Sequence, residues 1–104
     1  MIVHPSAIVL TAHVVCWADD RPDRQDWLAA CLARHNAGDW GDLDPEDWQT
    51  NDATLARRAG RLFSRYLVPD TLTGETEEDE AVWIITDDVT DPDSATTLLW
   101  PSDY

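Results

Sequence analysis

The apolar residues change period at Gly60, and no other feature of this 104-residue chain constrains its fold as tightly. Before Gly60 they recur at helical spacing. After it they form three short extended blocks bounded by Pro and acidic residues: 62–68 closed by Pro69, 81–86, and 96–100 stopped by Pro101. Three successive blocks joined by acid-rich connections, with Pro69, Gly74 and Pro92 in them, predict an antiparallel meander.

Two helices precede the change. Over 24–36, Leu28, Cys31, Leu32 and His35 fall on one face with Trp27 beside them. Asp23 is the expected N-cap, with Asp26 three residues on, and Gly38 suits the left-handed stop. A second helical run starts at Asp44 and Pro45, where acids meet the positive helix end. Trp48, Leu55 and Ala59 are its expected buried face, and Gly60 its end. It reads as one helix or as a turn followed by a helix. Residues 7–17 are rich in β-branched side chains and fit a strand or a short helix; periodicity does not separate the two. The expected architecture is a single α+β domain over 1–104, two helices packed on a three- or four-stranded antiparallel sheet.

With 43% apolar residues and six Trp, the chain has enough surface to bury a core. Its charge is lopsided. There are 21 acids and 7 bases, every base is Arg, and the net charge is −14. All seven Arg precede residue 66, so 1–65 carries −3 and 66–104 carries −11. Such a field repels phosphate backbones and anionic membranes and attracts basic partners, which argues against direct nucleic-acid or membrane binding. A genome-wide acidic bias would also produce it, although that explains the C-terminal concentration less well.

The N-terminal apolar stretch lacks a basic flank and is broken by Thr11 and His13, so it is neither a signal peptide nor a membrane span, and a cytoplasmic location is expected. Cys16 and Cys31 lie in apolar surroundings and are expected as buried free thiols.

No catalytic, cofactor or metal signature is present. The three His (4, 13 and 35) form no metal-spaced cluster, and four Gly leave little from which to build a phosphate loop. His35 with Asp39 and Asp42 is the one constellation with the residue types for an acid–base or metal site. Its plainer reading is a helix-terminal His tied to a carboxylate. In Gly38-Asp39-Trp40-Gly41-Asp42, Trp40 is either an exposed anchor on a docking loop or a core plug in a tight linker.

The candidate partner-binding residues are Trp40 and the acids Glu75, Glu77, Glu78, Asp79, Glu80, Asp87, Asp88, Asp91 and Asp93. A strand over 81–86 would hold the two acid groups ~20 Å apart at ~3.3 Å per residue, a negatively charged bar. DNA carries one charge per ~1.7 Å of axis, so such a face is of a comparable kind and can occupy a basic nucleic-acid channel. The plainer reading is a solvated loop.

The run from Leu32 through Arg34-His35 and Gly38-Asp39-Trp40-Gly41-Asp42-Leu43, followed by Gly60-Arg61-Leu62, Trp83-Ile84-Ile85-Thr86, Thr96-Thr97-Leu98 and Pro101-Ser102-Asp103-Tyr104, resembles a family of small plasmid and mobile-element proteins. Its motifs read RHxxGDWGDL and WIITEADRS, and it is loosely labelled type I restriction subunit M-like. The match spans about residues 28–104. This chain departs from the pattern after Thr86, where the Glu-Ala-Asp-Arg-Ser segment gives way to an acidic run without Arg. No S-adenosylmethionine motif is visible. The resemblance implies a mobile-element origin and no particular chemistry. Together these readings lead to a non-enzymatic, cofactor-free inhibitor or decoy of a basic nucleic-acid-binding defence protein, a CRISPR effector or restriction enzyme. The alternatives are a small accessory protein-binding domain without DNA mimicry, and a hydrolase or metal enzyme built on His35.

Overall fold

A computed structural model describes residues 2–72 and 80–104. After a 3-10 turn at Pro5–Ala7 come β1 (Ile8–Leu10), α1 (Ala12–Ala18), α2 (Pro22–Asn36), α3 (Pro45–Arg57), β2 (Leu62–Leu67), β3 (Ala81–Thr86) and β4 (Thr96–Leu99), then a 3-10 turn at Pro101–Asp103. The fold is α+β. Among the described residues, four strands lie in the order β1-β4-β3-β2.

The meander β2-β3-β4 is antiparallel as expected, with Ser64 opposite Ile84 and Ile84 opposite Leu98. The sheet as a whole is mixed, because β1 pairs with β4 in parallel, Ile8 opposite Thr96. The 7–17 segment is both of its alternatives in turn. Thr11 continues the ladder by donating its N–H to Leu98 at 3.1 Å, and its own carbonyl accepts from Val15 to open α1. A third described helix follows from that switch.

Helix boundaries differ slightly from expectation. Pro22, which has no N–H to satisfy, takes the first position of α2, so Arg21 precedes the helix and Asp23 pairs with Arg21 instead of capping. Gly38 does hold the left-handed position, at φ 82°. One helix runs from Pro45, and it ends at Arg58, itself left-handed at φ 51°, rather than at Gly60. Its buried residues are Asn51 and Thr54, with Trp48 and Leu55 half-buried and Ala59 exposed.

Helix α2 lays Leu28, Cys31 and His35 against one face of the sheet, where Tyr66, Val82, Ile84 and Leu98 are buried. Trp17 anchors the end of that core, edge-on to Trp27 at 5.9 Å and to Trp100 at 5.3 Å. Burying one indole removes roughly 150–250 Å² from water, worth roughly 4–6 kcal/mol of transfer free energy at ~25 cal/mol/Å². Arg24 is buried with them, its guanidinium over Trp17 and donating to the Trp17 carbonyl at 2.8 Å. The cysteines split. Cys31 is buried and its thiol is pushed up to about 12, whereas Cys16 lies on the exposed side of α1, contrary to expectation.

Candidate partner-binding surface

Glu75, Glu77, Glu78 and Asp79 lie outside the described residues. The other candidate acids stand at opposite ends of β3. Glu80 enters the strand, its carboxylate largely exposed and 3.8 Å from the Arg65 guanidinium. Asp87 leaves it, bonding by its N–H to Ala95, and the loop beyond carries Asp88, Asp91 and Asp93. β3 is interior, hydrogen-bonded on both sides, so the strand between the acids is held rigidly.

Within the loop the carboxylates do different things. Asp88 accepts from both the N–H and the hydroxyl of Thr90, which hold it below the usual carboxylate range. Asp91 accepts the N–H of Asp93 at 2.9 Å, the local turn chemistry of Asp. Asp87, Asp91 and Asp93 are exposed, and Asp93 comes within 3.9 Å of His4. Fourteen of the seventeen described acids are exposed, so most of the charge read from the sequence is presented to solvent.

Trp40 does not belong to this surface. It is fully buried, edge-on to His35 at 5.6 Å, with its indole N–H donating to Asp52 at 2.9 Å. The loop around it is a clamp. Arg34 pairs with Asp39 at 2.8 Å and stacks over Tyr66, whose hydroxyl donates to the Asp39 carbonyl at 2.6 Å. Gly41, at φ 75°, lies so close to β2 that a Cβ there would sit 2.3 Å from the Arg65 carbonyl oxygen. The motif is a core plug, and the docking-anchor reading of Trp40 is corrected.

The His35, Asp39 and Asp42 constellation is likewise not formed. His35 is fully buried, one ring nitrogen 2.5 Å from the Ser64 hydroxyl and the other 2.9 Å from that of Thr86. Thr86 passes the chain on to Thr96 at 2.8 Å. Burial lowers the imidazole pKa to about 4, which keeps the ring neutral. Asp39 is occupied by Arg34, whose guanidinium holds it below the ordinary range, and the Asp42 carboxylate accepts the N–H of Leu67. Among the described residues no three His, Cys, Asp or Glu side chains converge on a metal position, and no helix is long and apolar enough to cross a membrane.

The structure adds a feature that the sequence reading did not single out. On the sheet face away from α2, Phe63 and Trp83 pack edge-on at 5.0 Å, and Trp83 meets Tyr104 at 5.8 Å. Arg61 lies over the Tyr104 ring and donates to its hydroxyl at 2.9 Å. A groove of about 380 Å³ runs between these rings and α3, with Asp47 and Thr50 on its helical wall. Alternation in β2 carried a signal for it, since Arg61, Phe63, Arg65 and Leu67 share one parity. The unbroken apolar run of β3 concealed which face Trp83 would take. Compared with known proteins, the chain matches no family model, no curated protein and no solved structure.

Proposed function

We propose that this chain is a non-enzymatic binding protein that occludes a basic surface on a nucleic-acid-binding defence protein, a CRISPR effector or a restriction enzyme. The observation that carries the reading is the exposure of the acids at both ends of a strand fixed on both sides, Glu80 at one and Asp87, Asp91 and Asp93 at the other. A rigid scaffold presents such charges without the ordering entropy that a disordered acidic tail would lose on binding. The net charge of −14 adds long-range steering toward a positive channel, and salt weakens that steering. The resemblance to mobile-element proteins supports the same setting.

The test is competition. DNA binding and cleavage by purified CRISPR effectors and restriction enzymes are measured with and without the protein at 50 and 300 mM salt. Inhibition that weakens with salt, and that is lost when Glu80, Asp87, Asp91 and Asp93 are changed together to Gln or Asn, supports the reading. Inhibition indifferent to both removes its electrostatic basis.

A second reading, an accessory domain that binds a protein without mimicking DNA, is favoured by the aromatic groove beside α3. Its anchor is then Trp83 rather than Trp40. In that case Trp83→Ala abolishes partner capture while the acid substitutions leave it intact.

A further inference from the structure

The two edges of the sheet are treated in opposite ways. At the β2 edge, each outward-facing residue is engaged. The side chain of Asn51 bonds both backbone groups of Phe63. Arg65 donates to the Trp40 carbonyl and accepts from the Asp42 N–H. The N–H of Leu67 goes to the Asp42 carboxylate at 2.9 Å. A sheet edge blocked in this way cannot template another strand. At the other edge, nothing among the described residues bonds to β1 beyond its ladder with β4.

The open edge is also apolar. Val9, Leu10 and Val15 are 47%, 37% and 49% exposed, among the few large apolar side chains that reach solvent. Beside β1, on the helical face, a groove of about 200 Å³ is lined by Ile8, Leu10, Leu28, Ala29, Leu32 and Leu98. Charge distinguishes this side most sharply. In a chain with 21 acids, the first acid is Asp19 and the first Arg is Arg21, so the segment carrying β1 and α1 has no formal charge apart from His4 and His13. Asp103 borders it, bonding Thr11 and His13, and Asp93, its side chain exposed, stands 3.9 Å from His4.

We infer that β1 is a self-association edge, and that two copies of this chain join β1 to β1 in antiparallel fashion to make one eight-stranded sheet. Charge complementarity selects a second copy as the occupant. Two bodies of −14 repel wherever their acids meet, and the neutral β1 stripe is self-complementary under a two-fold axis. A basic partner, by contrast, would find no opposite charge there. With the axis at Val9, Ile8 of each copy lies opposite Leu10 of the other, and both side chains lean toward the apolar groove. Asp93, 3.9 Å from His4, borders the joint, while Glu80 lies at the opposite end of β3 from Asp87.

Sedimentation velocity and light scattering on the full chain, from 1 to 500 μM, test this. The expected species has twice the 11.7 kDa chain mass and strengthens as salt rises, because screening reduces the residual repulsion. Val9→Glu puts two carboxylates at the axis and is expected to remove the dimer, weakening association by at least about tenfold. Val9→Lys does the same alone, and an equimolar mixture of the two variants regains the dimer. Since Val9 is exposed, both variants keep the wild-type circular dichroism spectrum. A monomer at every concentration, a dimer that survives Val9→Glu, or a mixture that stays monomeric overturns the inference. The first outcome would leave the edge to a foreign strand.

Discussion

Asn51 pairs with Phe63 as a neighbouring strand would: its Nδ2 donates to the Phe63 carbonyl at 2.5 Å, and its Oδ1 accepts the Phe63 N–H at 3.3 Å. One side chain thereby fixes α3 to the edge of the sheet and satisfies two backbone groups that lie partly out of reach of water. Asn51→Ala leaves both without a partner, at ~1–3 kcal/mol each, so a loss of about 2–6 kcal/mol is expected. Urea unfolding measures it, with an unchanged slope if the native state is otherwise intact. Asn51→Asp retains an acceptor for the N–H but turns a carboxylate toward the carbonyl, and it should be no better than Ala.

Gly41 and Gly38 are both left-handed, at φ 75° and 82°, yet their surroundings differ. A Cβ on Gly41 would meet the Arg65 carbonyl oxygen at 2.3 Å and the Tyr66 ring at 2.5 Å, whereas one on Gly38 finds its nearest neighbours at 3.9 Å. Gly38→Ala therefore carries only the conformational cost of the left-handed region, ~1 kcal/mol. Gly41→Ala adds the separation of the 39–42 clamp from β2 and is expected to lose at least about 3 kcal/mol. Thermal melts of the two variants side by side check the contrast. Equal losses would mean that the clamp has room to move.

Burial lowers the His35 pKa from 6.5 to about 4, so the folded protein binds fewer protons than the unfolded chain between those values. Stability then rises with pH across the window. The contribution is fully present above about 6.5 and is progressively lost as pH falls toward 4, by about 1.4 kcal/mol per unit at most and about 3 kcal/mol in all. His35→Gln keeps hydrogen-bonding atoms toward Ser64 and Thr86 without titrating. The difference in unfolding free energy between wild type and His35→Gln should shrink by that amount from pH 7 to pH 4. Taking the difference removes the carboxylates, which titrate in both proteins. A difference independent of pH would show that His35 is accessible to protons in the fold.

Much of the meander was legible because alternation and Pro stops act locally: β3 falls on 81–86 as read, and β2 and β4 end within one residue of expectation. β1 was ambiguous for a physical reason. Three residues are too few to show a period, and whether they pair in parallel depends on β4, nearly ninety positions away. Hydropathy also misplaced the buried face of α3. Asn51 and Thr54 are polar by type but buried by position, because one of them replaces a strand's backbone. The acids were countable from the sequence, but which of them serve their own turn, as Asp88 and Asp91 do, became visible only with the loop geometry.

Trp40 and Trp83 separate folding from binding. Trp40 is fully enclosed, so Trp40→Ala removes its packing and leaves a void, an expected loss of about 3–5 kcal/mol. Trp40→Phe retains part of the ring while giving up the bond to Asp52, and should lie well below that loss. Neither has a side chain on the surface, so whatever partner the protein captures should bind the folded fraction of each variant with wild-type affinity. Trp83 is half-buried on the open sheet face between Phe63 and Tyr104, and its truncation should destabilise less. Calorimetric binding measured below each variant's melting temperature, against the partner identified by competition, decides the matter. A Trp40 variant that folds but binds weakly would return the 38–42 turn to the recognition surface.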